Sequence, residues 1–323
     1  MNPKVKLAAG VLIGGFFLWW ALSKLELAEA GRMLSTARWE WIALAVALLL
    51  AGYALRSYRW YLMLRSVGAS ASYGDAYRVF HASVAMNNVL PFRAGDVARA
   101  VSFRRALGAE TSQVLGTMVV ERILDFLSLL FVFFVALMGV PEGRVPQHFL
   151  SMAQFFLGAM VVALIGLLLF AKPVRRRLEG KGKVADAFAR FLASIEAVAP
   201  LKVLLPLIAL SPVAWLLESG LFVATAQALR LDVPIGGPML GMSTGTLATL
   251  IPSTPGYVGT FDAAAAEGLK AYGAANTPAT VFALTSHVVL WVPLTALGFI
   301  LLSLSSLKAA REEPAAPRQE ALI

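Results

Sequence analysis

The sequence predicts an all-α polytopic membrane protein, and three observations predict it. Apolar residues make up 59% of the 323-residue chain and charged residues only 15%. The mean hydropathy is +0.73, whereas soluble domains carry about a quarter charged residues. The apolar residues also fall in blocks of roughly 20, the length that crosses a bilayer as a helix.

Six blocks qualify as spans, at about 5–23, 41–62, 113–138, 149–171, 203–229 and 279–306. The first follows Lys4 and Lys6 and precedes Ala28-Glu29-Ala30, a pattern reminiscent of a signal peptide. Because the apolar run ends well before that tripeptide, it reads as a retained span. Trp19, Trp20, Trp39 and Trp41 lie near the inferred outer ends of the first two spans, as an aromatic belt would.

Two further stretches, about 76–112 and 238–272, are apolar but interrupted by Pro and Gly. Residues 56–112 carry eight arginines against three acids, and residues 172–202 carry eight Lys/Arg against three acids. The positive-inside rule places both on the cytoplasmic side. Residues 93–105 avoid the outer face only if 76–112 enters and returns, and the same parity makes 238–272 a second re-entrant hairpin, entering from outside. The expectation is therefore six full spans plus two re-entrant helical hairpins, about eight membrane segments, with both termini cytoplasmic. The segments 23–40, 139–148 and 230–237 become outer loops.

This order divides residues 1–307 into halves of about 1–140 and 149–307, each with three spans and one hairpin. Three spans per half invert the second half relative to the first, the inverted-repeat pattern of many transporters. Eight full spans is the alternative. Residues 184–198 place Val184, Phe188, Phe191, Ile195 and Val198 at helical spacing, predicting an amphipathic helix on the cytoplasmic membrane surface. Residues 308–323 read as a disordered cytoplasmic tail.

Ionisable residues inside spans are costly and mark candidate sites. Glu121, Arg122 and Asp125 fit one sector of the third span. They form either an interior charged cluster or a wet first turn. Glu218 sits mid-span with no basic residue within ten positions on its own span. It must find a partner elsewhere, face water or stay protonated. Arg56 and Arg59 end the second span, either as snorkelling anchors or as anion ligands.

The first hairpin carries Asn87, Asn88, Pro91, Arg93, Gly95, Asp96 and Arg99. A helix restarting near Gly95 aims its N-terminus at a bound anion, with Arg93 and Arg99 placed to hold a phosphate. Positive-inside flanking alone explains Arg104 and Arg105, but not Asn87, Asn88 or Asp96. The second hairpin carries Pro252, Ser253, Thr254, Pro255, Gly256, Tyr257, Gly259, Thr260 and Asp262. Its hydroxyls and freed amides suit a head group or an ion, and a short external loop is the plainer alternative.

Other chemistries lack their residues. There is no cysteine, and His81, His148 and His287 are scattered, so no metal site is expected. No phosphate-binding loop, nucleophile elbow or H-E-x-x-H pair is present. The net charge of +9 follows apolar spans rather than a polar face, which argues against nucleic acid. No cofactor and no catalytic residue are assigned.

The ordered motifs LPFRAGDVARA, ERILD, WLLESG and IPSTPGYVGTFDAA, with RSYRWYLML before them, resemble the lysylphosphatidylglycerol-synthase transmembrane-region family over roughly residues 5–306. Asp96 and Asp262 stand where that family's pattern usually has Glu, and Tyr257-Val258 where it has Gly-Leu. The resemblance implies a flippase-like membrane domain. In two-part relatives it moves aminoacylated lipid made by a separate soluble domain. That domain is not expected here, so a lysyl-transferase activity is not either. Stand-alone members imply lipid, isoprenoid-lipid or hopanoid pathways.

The expected function is a lipid translocase or lipid-binding transporter, with a phospholipid or isoprenoid lipid held by the site residues above. The alternatives are a small-solute or ion-coupled transporter, a scaffold for a membrane-bound lipid-modifying enzyme, and, more remotely, a membrane-embedded enzyme. High Ala, Gly and Arg usage suggests a GC-rich bacterium and its inner membrane.

Overall fold

Within a helix every backbone N–H and C=O can be satisfied inside the segment, which suits apolar blocks of this length. The computed structural model describes residues 3–23, 25–141, 143, 147–251 and 253–312, and every described element is helical. The helices are α1 (Pro3–Leu22), α2 (Leu27–Ser35), α3 (Trp39–Ser66), α4 (Tyr73–Val89), α5 (Ala94–Val101), α6 (Arg104–Leu107) and α7 (Thr111–Leu137). They continue with α8 (Gln147–Leu178), α9 (Lys183–Val198), α10 (Leu201–Ala228), α11 (Gly236–Ala248), α12 (Thr260–Lys270) and α13 (Asn276–Glu312). Short 3-10 turns at Pro91–Arg93 and Pro255–Tyr257 precede α5 and α12.

Four described helices are long and apolar enough to cross a membrane: α3, α8 from Gln154, α10, and α13 as far as Leu304. Between Thr111 and Leu137, α7 holds Glu121, Arg122 and Asp125, which break its apolar run. Both interrupted stretches form a helix, a turn and a second helix. The first is cut shorter than expected: α5 ends at Val101, and α6 follows before Gly108, whose φ is +56°.

Three expectations need correction. The segment 23–40 is not a plain loop, because α2 occupies Leu27–Ser35. The amphipathic segment does form α9, but much of its apolar face is covered by protein. Leu192, Ile195 and Val198 are buried in the cluster that includes α7, while Val184 and Phe188 stay exposed. The tail does not begin at 308, since α13 continues to Glu312. The rest of that tail, Pro252, and the side chains of Lys4, Lys6, His148, Lys308 and Arg311 lie outside what is described.

Small residues set the helix approaches, as expected where apolar burial alone drives little association. A Cβ on Gly298 of α13 would lie 2.3 Å from the His81 carbonyl oxygen on α4. A Cβ on Gly268 of α12 would lie 2.8 Å from Gly241 Cα of α11. Two larger apolar clusters result. One gathers Leu49, Leu221, Phe222, Leu269 and Phe282, and the other Trp60, Leu64, Phe80, Val120, Ile195 and Leu207. Tyr53 and Val84 pack against both clusters, so the seam between them runs past these two residues.

Candidate functional site

At the first break, Leu90 is extended before Pro91, the conformation a following proline favours. Arg93 then takes a left-handed φ of +52°, which turns the chain into α5. A Cβ on Gly95 would lie 1.9 Å from the Ser83 carbonyl oxygen, so glycine lets α5 rest directly on α4. Asn87 joins the two helices. Its Nδ2 donates to Asp96 Oδ1 at 2.9 Å, and its Oδ1 accepts the Asp96 N–H at 3.1 Å. A free donor at the start of α5 is thereby satisfied.

At the second break, Gly256, Tyr257 and Gly259 have φ values of +70°, +60° and +92°. Ser253 and Thr260 share a hydroxyl hydrogen bond of 2.9 Å, and Thr254 Oγ1 donates to the Val258 carbonyl at 2.8 Å. Asp262 Oδ2 accepts the Gly259 N–H at 2.8 Å. His287 of α13 bridges back, with Nδ1 2.8 Å from Asp262 Oδ1 and Nε2 2.9 Å from the Gly256 carbonyl oxygen.

The two breaks meet. Arg93 Nε donates to the Tyr257 hydroxyl at 2.9 Å. A Cβ on Gly256 would lie 3.3 Å from the Asn88 carbonyl oxygen, and Asn88 Nδ2 donates to Thr295 Oγ1 of α13 at 2.9 Å. Between them lies a cavity of about 230 Å³.

Paired charges form its walls. The three ionisable residues of α7 do not pair with one another; Glu121 and Arg122 both reach α5, whereas Asp125 reaches α3 and α10. Glu121 takes two hydrogen bonds from Arg99, at 2.7 and 3.2 Å. Arg122 donates twice to Asp96, at 2.8 and 3.0 Å. Asp125 accepts from Arg59 at 2.7 Å and from Trp215 Nε1 at 3.2 Å. Glu218 finds its partner across helices in Arg56, whose Nη1 lies 2.7 Å from Glu218 Oε2.

The cations also use aromatic faces, which hold a guanidinium without a carboxylate. Arg99 Cζ sits 3.6 Å from the centre of the Trp60 ring, and Arg56 lies 4.6 Å from Trp215 and 4.9 Å from Tyr53. Arg56 stays within its buried ion pair with Glu218, and one cation is less well matched. Arg93 has no carboxylate within ion-pair distance among the described residues, only Tyr257.

Of the sequence-derived candidates, the structure brings Arg56, Asn87, Asn88, Arg93, Asp96 and Arg99 to the cavity wall. Glu121, Arg122, Asp125, Glu218, Gly256 and Tyr257 line it as well. Arg59, Ser253, Thr254, Gly259 and Asp262 do not. Arg59 is held behind the wall by Ser211 at 2.6 Å and by Asp125. Neither Arg56 nor Arg59 snorkels, because both are buried.

Sequence reasoning passed over His287, Trp291, Trp215, Tyr53 and Ser83, all of which line the cavity. Two signals were available. His287 is an ionisable residue inside the last expected span, and Trp215 stands one helical turn before Glu218.

The family model for the lysylphosphatidylglycerol synthase TM region matches residues 7–298. The chain belongs to this family. Among curated relatives of this member, the glycosyltransferase AglD of Haloferax volcanii is 25% identical over 90% of this chain and 52% of AglD. The chain therefore spans about half of AglD's length. The UPF0104 membrane protein MJ1078 of Methanocaldococcus jannaschii is 24% identical over 54% of this chain and 74% of that protein. The family's membrane character agrees with the long apolar helices, so this member is a multi-pass membrane protein.

Proposed function

We propose that this protein binds an anionic amphiphile by its head group and moves it between leaflets, as a flippase-like lipid translocase. One observation carries the reading: the ionic cavity lies between two breaks whose chain neighbours include exposed apolar residues. Val89, Leu90 and Val97 flank Arg93 and Asp96, and Leu250, Ile251 and Val258 flank Tyr257. A ligand with a charged head and apolar chains matches both surfaces together. Arg93, with no carboxylate in ion-pair distance among the described residues, supplies the attraction for a phosphate, while Arg56 is already paired with Glu218.

The cavity volume is below the usual range of about 300–1,000 Å³ for pockets that enclose a whole small ligand. Only the head enters, and the chains stay in the bilayer. In this reading the protein has six spans and two hairpins re-entering from opposite faces, with both termini in the cytoplasm of a bacterial inner membrane. A membrane-bound lipid-modifying enzyme is the partner such a translocase would serve.

The same volume favours a second reading, a transporter of a small polar solute. Purified protein in liposomes separates the two. A translocase accelerates transbilayer movement of head-group-labelled phosphatidylglycerol over empty liposomes, and Arg93→Ala abolishes the gain. No acceleration for any anionic or isoprenoid lipid, together with counterflow of a soluble solute, would replace the first reading by the second.

A further inference from the structure

The contacts of the bridge at the second break call for one hydrogen more than a neutral histidine beside a carboxylate can supply. His287 faces an acceptor at each ring nitrogen: Asp262 Oδ1 at 2.8 Å and the Gly256 carbonyl oxygen at 2.9 Å. A carbonyl cannot donate, so Nε2 must carry a hydrogen to make the second bond. Asp262 already accepts the Gly259 N–H at its other oxygen, as a carboxylate does. The hydrogen in the Asp262–His287 gap sits either on Nδ1 or on the acid, and because an imidazole is ordinarily a stronger base than a carboxylate we place it on Nδ1, so that the ring holds two protons. Turning the ring over would put carbon atoms opposite both acceptors, so the orientation is set by the same contacts.

We propose that Asp262 and His287 form a proton-binding site that ties the second break to α13. With the proton bound, the imidazolium is held between a carboxylate and a backbone carbonyl. Losing it leaves one nitrogen lone pair against an oxygen, and one of the two bonds must open. If Nδ1 keeps its hydrogen for the carboxylate, the bond lost is that to Gly256. Gly256 and Tyr257 form the tip that touches Asn88 and Arg93 of the first break. Proton release thus frees the contact between the breaks, and the cavity between them changes with it. Neither Asp262 nor the bridge was assigned this role by the cavity itself, since Asp262 lies behind the wall.

The ionisable groups on the cavity wall beside the bridge are Tyr53 and Arg56 from α3, Asp96 and Arg99 from α5, Glu121, Arg122 and Asp125 from α7, Glu218 from α10, and Arg93 and Tyr257 from the breaks, while α11 carries none and His81 of α4 lies off the wall. Arg56 is matched by Glu218, and Arg93 is bound to Tyr257. His81 Nδ1 already lies 2.9 Å from the Tyr77 carbonyl, and its Nε2 has no partner among the described residues. His81 therefore lacks the two-acceptor geometry of His287.

In the translocation reading this proton is the ion coupled to head-group movement, and to that extent the inference rests on that reading. The site itself is tested without it. The full protein, labelled with ¹⁵N-histidine and held in phosphatidylcholine bilayers near neutral pH, is examined by solid-state NMR. The expected spectrum contains one ring with both nitrogens protonated, which disappears in His287→Gln. In Asp262→Asn the amide can accept from Gly259 N–H and donate to Nδ1, so His287 should become singly protonated with its Gly256 bond kept. An unprotonated nitrogen on His287 in the wild-type spectrum overturns the proposal. Coupling is read separately, as a change in phosphatidylglycerol movement between acidic and alkaline buffer that Asp262→Asn abolishes. If the lipid does not move at all while the doubly protonated ring is seen, the transport reading fails and the proton site stands. Lipid movement with equal pH dependence in wild type and Asp262→Asn overturns the coupling alone.

Discussion

The two helix breaks use the same part with different partners. Asp96 is the third residue of α5 and Asp262 the third of α12, so each carboxylate sits in the first turn after its break. There it meets free backbone N–H groups and the positive end of the helix. Each is also gripped by one side chain from a later long helix, Arg122 on α7 and His287 on α13. The first partner is permanently charged and the second can lose its proton. The surroundings differ too. Arg122 is about half exposed in the cavity, whereas Asp262 is 1% exposed behind it. The carboxylate of the first break is therefore paired with a fixed charge at the cavity, while that of the second lies behind the cavity wall and is paired with a histidine.

The largest effect that probes this contrast lies at the first break. Glu121→Gln leaves Arg99 with a neutral partner at a site where its side chain is 2% exposed. Breaking such a buried pair costs about 3–5 kcal/mol, read as a lowered unfolding midpoint in detergent. Asp96→Asn should cost less than about 1 kcal/mol, because its partner Arg122 is half exposed and water can replace the lost charge. Similar losses from both would erase the distinction between buried framework and open site.

Both breaks need close backbone approach, so Gly95→Ala and Gly259→Ala should each destabilise. A Cβ would lie 1.9 Å from the Ser83 carbonyl oxygen in the first and 2.0 Å from the Gly14 carbonyl oxygen in the second. Overpacking costs about 1–3 kcal/mol. Gly259 also has φ +92°, so its substitution should be the worse of the two in the same unfolding experiment.

Arg93→Ala sharpens the comparison from the ligand side. Arg93 is exposed and, among the described residues, is held by Tyr257 alone, so stability should change by less than about 0.5 kcal/mol. Loss of a charge-assisted hydrogen bond of about 1.5–3 kcal/mol should weaken phosphatidylglycerol binding roughly tenfold or more. The smallest stability effect is expected for Asp262→Asn, where the amide can replace both hydrogen bonds. Its consequence should appear in the pH dependence of binding, which flattens.

Much of this was legible before any coordinates. Pro91 with Gly95, and Gly256 with Gly259, mark the breaks because helices do not run through such spacing unaided. Glu218 announced an unseen partner because a lone acid in an apolar span must find one. Its identity was not legible, since Arg56 lies 162 positions away and the pairing exists only where α3 meets α10. The same limit explains why the α7 cluster was read as a unit. Helical spacing shows that Glu121, Arg122 and Asp125 share a sector, but not that three different helices approach it. His287 was dismissed because metal sites need several ligands close together, a test that ignores a histidine bridging two oxygens. The cover over α9 was hidden for a simpler reason: an amphipathic pattern records that one face is apolar, not whether lipid or protein meets it.

The central claim is that the cavity between the breaks holds an anionic head group. It is tested most directly by identifying the lipids that accompany the protein extracted in native membrane discs, wild type beside Arg93→Ala, by mass spectrometry. The account predicts one anionic lipid class enriched over the surrounding membrane in wild type and reduced to the bulk level in the variant. A wild-type lipid profile identical to the bulk membrane would contradict it.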